Sequence, residues 1–386
     1  MQSSSASYEP KLDHLRFAAA LLVLAWHVMR HAMQVPTTYL PTFWPMSFFS
    51  EGHTGVALFM VLSGYIFMTL CQNKQINYLA FLRNRLLRIA PLFFVWTLLY
   101  FYTSDIDPSK LFLSIFALLN NRTVPGVGWT VVVEFQFYII FPFLLVFSRK
   151  MGIRYLLGLV VMAAAIRWGI WFTRGTVQDL AYSTIFGRLD QFVLGMIACD
   201  IGRRFPLAFK SPFVLIAIIA TWSYIYHRFD ALGGYFDNRG YPSPWSAWIY
   251  LPTLEGIFYG LITVSYMGTI RLLPRSLDKA FAWMGMLSYS LYLNHPWAID
   301  IAMKLLQHTG FDMTKFWVAM TVGLGTVLPI VIVMSIGTYY LVEKPFLSLR
   351  TRYLEPLPDL LADLQSLDNR PTQRSGLPPG GTISMP

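Results

Sequence analysis

Two ionisable residues, Arg16 and His27, lie in the first apolar stretch of the chain, LRFAAALLVLAWHVMRH. Eleven residues of α-helix make about three turns and rise about 16 Å, so both side chains share one face of the helix. Ionisable groups at membrane depth are costly and by default functional. We therefore predict a functional site that has His27 as a titratable imidazole near the midplane and Arg16 as a cation near one membrane surface. The alternative is a histidine that only hydrogen-bonds a neighbouring helix.

A carboxylate, Glu134, lies near the start of the stretch VGWTVVVEFQFYIIFPF. If it lies at the same depth as His27 in a neighbouring helix, it would orient the imidazole and raise its basicity. We therefore expect Glu134 to pair with His27. The alternative is a carboxylate that faces a wet vestibule or caps the start of its helix.

Three arginines, Arg83, Arg85 and Arg88, lie at the start of the third apolar stretch, in FLRNRLLRIAPLF. Arg85 and Arg88 are three residues apart and can share a helix face. Guanidinium groups bind phosphate oxygens bidentately, so these residues and Arg16 suit a polyphosphate that arrives from the cytoplasm. Basic residues that only mark the cytoplasmic membrane edge are the alternative.

The second apolar stretch, GHTGVALFMVLSGYIF, contains small residues that allow close helix packing. Gly52, Gly55 and Gly64 are expected to let a neighbouring backbone approach. Ser63 is expected to hydrogen-bond its own helix or a neighbour. This stretch alone predicts no function.

Four more ionisable residues lie in later apolar stretches. Arg188 and Asp190, in GRLDQFVLG, are expected to neutralise each other or to tie helices together. In LSYSLYLNHP, Pro296 is expected to interrupt the ninth span and free a carbonyl, so that His295 either satisfies a polar group or contacts substrate. Glu343, in YYLVEKPF, is expected to form a salt bridge with one of the cytoplasmic arginines.

Membrane-spanning helices must position these side chains. Of the 386 residues, 55% are hydrophobic and only 13% charged, which excludes a water-soluble domain. The predicted fold is an all-α polytopic membrane helix bundle with about ten transmembrane helices. The predicted spans are 14–33, 53–71, 88–104, 128–148, 154–173, 182–199, 211–227, 248–268, 282–305 and 318–342, with a short interfacial or re-entrant segment near 110–120.

The basic residues set the expected orientation. With both termini in the cytoplasm, 18 of the 30 Lys and Arg residues fall on the inner side and 8 on the outer side. The net charge of +10 therefore reflects topology and not nucleic-acid binding. Cys71 and Cys199 lack metal-ligand spacing, so we expect no metal. The predicted divisions are a short N-terminus (1–11), a membrane domain (12–346) and a largely disordered cytoplasmic tail (347–386).

In this order, the motifs resemble those of the integral-membrane acyltransferases often called acyltransferase 3. The shared motifs run from about Leu12 to Phe346. They are Arg-x10-His, GxxGVxxF…SGY, RxxR, WTxxxExxFYxxxP, LSYSLYLxHP and YxxExPF. Two departures are mild, since His14 stands where Asp or Gly is commoner and Met60 replaces an aromatic residue. Neither affects a proposed reactive group.

The resemblance implies transfer of an acyl group, usually acetyl, from cytoplasmic acyl-CoA to a hydroxyl of an envelope or exported carbohydrate or a lipid-linked sugar. It implies a bacterial inner membrane, an essential pair at Arg16 and His27, an RxxR motif at Arg85 and Arg88, and a closing acid at Glu343. With this reaction, His27 is the expected general base that removes the proton of the acceptor hydroxyl. Direct transfer and an acyl-histidine intermediate both remain open. A transporter or flippase without acyl chemistry is the alternative function, and the oligomeric state is not predicted.

Overall fold

The chain folds as a bundle of long helices. The computed structural model describes residues 9–32, 43–103, 124, 126–236, 240–270 and 272–356. Its helical content confirms the predicted all-α membrane bundle, and each of the ten predicted spans lies on one or two of its helices. The first six helices among the described residues are α1 (Pro10–Ala32), α2 (Ser47–Ser50), α3 (Gly55–Leu70), α4 (Tyr78–Thr103), α5 (Trp129–Met151) and α6 (Ile153–Arg174).

The second half of the chain continues the bundle. Its helices are α7 (Gln178–Ser183), α8 (Ile185–Arg204), α9 (Pro212–Ala231), α10 (Ala247–Gly268), α11 (Arg275–Met286), α12 (Ser288–Leu306) and α13 (Phe316–Leu347). Two π-helical segments, Ala319–Gly323 and Tyr339–Glu343, lie within α13. The predicted segment at 110–120 and residues 357–386 of the predicted tail lie outside the described residues.

Within the part of the chain that the structure describes, seven helices are long and apolar enough to cross a membrane on length and composition alone: α1, α3 with the turn before it, α4, α5, α6, α10 and α13. The other three long helices, α8, α9 and α12, carry more polar side chains. In α8 these side chains do not face lipid, because α3, α6 and α10 pack around it. A helix enclosed in this way can hold ionisable groups that a lipid-facing helix cannot.

Two predicted spans differ from the helices observed. The third begins at Tyr78 instead of 88, because the arginine-rich turns that interrupt the apolar run are helical too. The ninth is divided at Leu287 into α11 and α12. The interruption expected at Pro296 is wrong, since α12 continues through this proline.

Glycines bring α3 and α8 into backbone contact. A Cβ on Gly64 of α3 would overlap the Phe192 carbonyl of α8, and a Cβ on Gly195 of α8 would overlap the Val61 carbonyl of α3. Gly52 and Gly55 face the backbone of α1 in the same way. The expected packing through small residues is therefore confirmed, and it lets α3 lie directly between α1 and α8.

The chain returns across the bundle after α13. Strand β1 (Lys74–Ile76) pairs antiparallel with β2 (Leu354–Pro356), and Gln75 lies opposite Glu355. Asn84 of α4 donates to the Thr351 carbonyl at 2.6 Å and accepts from the Thr351 N–H at 3.1 Å. We call residues 348–356 the C-terminal strap. The strap fixes the end of α13 beside the start of α4.

A single methyl group at Gly64 should weaken the bundle. We expect Gly64→Ala to lower the free energy of unfolding by about 1–3 kcal/mol, because the Phe192 carbonyl cannot move without displacing α8. Thermal unfolding of the purified protein in detergent measures the effect. Gly158→Ala in α6 is the matched control, since no described atom lies within 4 Å of its added Cβ. Equal stability of the two variants would contradict the proposed close packing.

Candidate active site

A cavity that we call the arginine cavity lies between α1, α3, α4, α5 and α12. Its volume is about 120 Å³. Apolar side chains of α3 and α5 form much of its wall. Its polar lining consists of Arg16, Ser63, Arg85, Arg88, Thr130, Glu134, Tyr138, Ser288, Tyr289 and Tyr292. Four of the residues predicted from the sequence to bind or react, Arg16, Arg85, Arg88 and Glu134, therefore line one cavity.

Two arginines of this cavity already have a carboxylate partner. Nη1 of Arg88 donates to Oε2 of Glu343 at 2.8 Å, and Glu343 is only 1% exposed. Ser290 also donates to Glu343. Nη1 of Arg16 donates to Oδ1 of Asp13 at 2.8 Å. The expected salt bridge of Glu343 is confirmed, and its partner is Arg88.

Arg85 differs from these two arginines. Among the described residues it forms no hydrogen bond or ion pair, and its buried Nε has no acceptor. Its guanidinium group lies 5.1–5.9 Å from the ring centroids of Phe67, Phe81, Tyr138 and Tyr353. Aromatic rings stabilise a cation but leave its donors free. Arg85 is therefore available to an anion that enters the cavity.

More positive charge lies at the rim beside Arg85. The C-terminal strap carries Arg350, an exposed residue whose pKa is lowered by partial desolvation and by the nearby Arg85 and Arg88 cations. Arg83 is exposed, does not line the cavity, and contacts Thr351 of the strap at 3.5 Å. Of the three arginines predicted to bind phosphate, the structure thus places two in the cavity and one outside it.

Glu134 points into the arginine cavity and away from His27. It accepts hydrogen bonds from Ser63 of α3, at 3.0 Å, and from Tyr138, one turn further along α5. The expected pairing of Glu134 with His27 is therefore wrong. The orientation of α5 about its own axis places Glu134 on the side that faces α3, whereas His27 on α1 faces α12. The i, i+4 spacing of Glu134 and Tyr138 was a signal for their hydrogen bond that sequence reasoning missed.

His27 lines a second cavity, which we call the histidine cavity. Its volume is about 370 Å³, and it is lined by His27, Arg30, His31, Pro296, Ile299 and Asp300. The His27 ring lies 4.6 Å from the Trp26 ring and 4.7 Å from the His295 ring, measured between centroids. Arg30 lies over the Phe236 ring at 3.7 Å. Arg16 and His27 share α1 as predicted, but they line different cavities.

Helix α12 also borders both cavities. Tyr292 lines the arginine cavity and Pro296, one turn later, lines the histidine cavity. Between them, Nδ1 of His295 lies 2.5 Å from the Tyr292 carbonyl oxygen. His295 therefore satisfies the carbonyl that Pro296 frees, which explains why the helix is not interrupted. Both α1 and α12 therefore line both cavities.

Arg188 and Asp190 do not neutralise each other. Two residues apart on a helix, they point to different faces. Asp190 accepts from Arg167 of α6 at 2.7 Å, and Arg188 lies 3.4 Å from Glu255 of α10. The second expectation, that they tie helices together, is the one the structure supports. Sequence reasoning missed Glu255 and gave Arg167 no role, although both are ionisable residues in apolar stretches.

A buried pair that sequence reasoning also missed joins Glu51 and His53 before α3. Nε2 of His53 lies 2.9 Å from Oε2 of Glu51, and the His53 ring packs against Trp26 and Tyr235.

The described residues contain no group of His, Cys, Asp and Glu side chains that could hold a metal ion. Cys71 and Cys199 are free and buried.

A helix bundle with an arginine-lined cavity and a membrane-embedded histidine is consistent with the class of membrane acyltransferases. The family model described as an acyltransferase domain matches residues 9–336, and the chain belongs to this acyltransferase 3 family. No solved structure matches it.

Two curated relatives are bacterial proteins. The chain is 24% identical over 353 residues to the peptidoglycan O-acetyltransferase OatA of Listeria monocytogenes, a match that covers 79% of this chain and 51% of OatA. It is 24% identical over 319 residues to the exopolysaccharide production protein ExoZ of Rhizobium meliloti, a match that covers 78% of this chain and 90% of ExoZ. The chain thus spans about half the length of the first relative and most of the second.

Loss of an arginine that has a buried carboxylate partner should destabilise the protein more than loss of an arginine that has none. Arg167→Gln leaves Asp190 buried without its cation, and we expect it to lower the free energy of unfolding by about 3–5 kcal/mol. Arg85→Gln removes only contacts with aromatic rings and should cost less than about 1 kcal/mol. Thermal unfolding of both variants in detergent compares them. A larger loss in Arg85→Gln would mean that Arg85 has a structural partner.

Proposed function

We propose that this protein is a membrane-bound O-acyltransferase that moves an acyl group, with acetyl as the proposed group, from cytoplasmic acyl-CoA to a hydroxyl of an envelope or exported carbohydrate. The observation that carries the proposal is the course of α1, which lines the arginine cavity at Arg16 and the histidine cavity at His27. The family and the printed names of its relatives support acyl transfer to carbohydrate. The proposed location is the inner membrane of a bacterium.

The arginine cavity is the proposed site of the donor. Arg85 offers guanidinium donors to a phosphate group, while Arg16 and Arg88 add positive charge that Asp13 and Glu343 partly offset. The volume of about 120 Å³ is small, so the proposed occupant is only the narrow pantetheine arm, for which the cavity must widen. The nucleotide is then held outside, near Arg85 and Arg350. This arrangement directs the thioester towards His27.

The histidine cavity is the proposed site of the acceptor hydroxyl. His27 removes the hydroxyl proton as the oxygen attacks the thioester carbonyl carbon. The carbon–sulfur bond then breaks, and the CoA thiolate leaves and takes this proton from His27. Arg30, held over Phe236, and residues 228–236 and 240–247 are proposed to contact the carbohydrate. Glu134 has no part in orienting His27 in this scheme and instead forms a wall of the donor site with Ser63 and Tyr138.

His27→Asn should abolish transfer while preserving the bundle. We expect kcat to fall by about 10²–10⁴-fold, because asparagine cannot act as the general base. The assay incubates purified protein with radiolabelled acetyl-CoA and a crude cell-envelope carbohydrate fraction, and counts label in the carbohydrate. His308→Asn, at an exposed position outside both cavities, is the control. Full activity in His27→Asn would overturn the proposed base. CoA binding by the wild type without acetyl transfer would overturn the proposed acceptor, and a wild type that does not bind CoA would favour a transporter.

Arg85→Gln should weaken donor binding. Loss of a charge-assisted hydrogen bond costs about 1.5–3 kcal/mol, so we expect the KM for acetyl-CoA to rise about 10- to 100-fold. The KM for the carbohydrate should not change. Arg83→Gln is the matched control, since Arg83 lies on the same helix but outside the cavity. An effect confined to the carbohydrate KM would place Arg85 on the acceptor side.

A further inference from the structure

Pro296 directly follows His295 in α12, and this proline determines which nitrogen of the His295 ring carries the proton. Proline has no N–H, so the carbonyl of Tyr292, four residues earlier, has no donor from the helix backbone. Nδ1 of His295 lies 2.5 Å from this oxygen. A carbonyl oxygen only accepts hydrogen bonds, so Nδ1 must carry the proton. In a neutral imidazole the other nitrogen, Nε2, is then an acceptor.

This acceptor has no partner among the described residues. His295 is 2% exposed, and its Nε2 is buried without a hydrogen bond. Such a group is costly unless something uses it. The nearest ionisable ring is that of His27, whose centroid lies 4.7 Å away at an interplanar angle of 43°. The two rings are not hydrogen-bonded to each other in this orientation. Two imidazoles joined by an N–H···N hydrogen bond of about 3 Å have centroids about 5 Å apart, so rotation of the His27 ring, without movement of α1 or α12, is enough to form such a bond.

We propose that His295 is a positioning residue for His27, and that Pro296 sets its tautomer. Nε2 of His295 accepts the N–H of one His27 nitrogen, which leaves the lone pair of the other nitrogen directed at the acceptor hydroxyl. When His27 takes the proton from that hydroxyl, the same bond holds the imidazolium in place. This inference rests on the proposed role of His27 as the base. A base oriented by a third group is a recurring arrangement in acyl transfer.

The variant Pro296→Ala separates this role from a purely structural one. The alanine would supply the missing N–H to the Tyr292 carbonyl and compete with Nδ1 of His295 for the same oxygen. Both tautomers of His295 would then be open. Because the helix regains a hydrogen bond, Pro296→Ala should unfold at the same temperature as the wild type or higher. Its kcat should nevertheless fall at least about 10-fold, with the KM for acetyl-CoA unchanged.

His295→Asn is the complementary variant. The asparagine amide can still donate to the Tyr292 carbonyl, as Nδ1 does, but nothing remains at the place of Nε2. We expect a stable protein whose kcat falls at least about 10-fold. If both variants keep the kcat of the wild type, or if kcat falls only in step with the unfolding temperature, the positioning role is overturned.

A spectroscopic measurement tests the tautomer without any assay of transfer. ¹⁵N NMR of histidine-labelled protein in bilayers, with His295 assigned by its loss in His295→Asn, should show a protonated Nδ1 and an unprotonated Nε2. The Nε2 signal should shift in His27→Asn, and the tautomer should become mixed in Pro296→Ala. A protonated Nε2, or a signal indifferent to His27→Asn, would overturn the inference. The predicted spectra together with no acetyl transfer by the wild type would instead overturn the proposed function.

Discussion

The low polarity of the membrane interior is the constraint on which the rest of this structure depends. An ionised side chain there is stable only when another charge, a set of hydrogen bonds or an aqueous cavity compensates it. Helix α8 meets this requirement with Arg188 and Asp190, which contact Glu255 of α10 and Arg167 of α6. These pairs are fully enclosed, so they connect helices and cannot reach a substrate.

In the arginine cavity, the same constraint distinguishes an arginine that a carboxylate neutralises from an arginine that can bind a ligand. Arg88 is held by Glu343, whose carboxylate also accepts from Ser290. Arg85 stands three residues earlier on α4 and is surrounded by aromatic rings instead of carboxylates. Two arginines of one sequence motif therefore have different electrostatic surroundings. A cation that has no counter-ion among the described residues is, in such a place, a stronger indication of an anionic ligand than the motif itself.

The sequence predicts the positions of the helices well, but it predicts poorly which side chains contact each other between helices. The long helices follow from the length of apolar runs, which is a local property, and the small residues of α3 predict close packing because glycine has no side chain. Pairing depends on how each helix is rotated about its axis. Glu134 is therefore expected beside His27 but faces Ser63 and Tyr138. Simple helix geometry could have excluded a direct pair of Arg188 and Asp190, whose spacing turns them apart.

The contacts that α4 makes with α13 and the C-terminal strap determine the order in which the protein is completed. Glu343 is synthesised 255 residues after Arg88, and Thr351 is synthesised 267 residues after Asn84. Because the ribosome delivers the chain from its N-terminus, α4 enters the membrane long before its partners exist. Arg88 gains its carboxylate only when α13 is inserted, and the strap can then cover the start of α4. The arginine cavity is thus among the last parts of the bundle to be completed during biosynthesis.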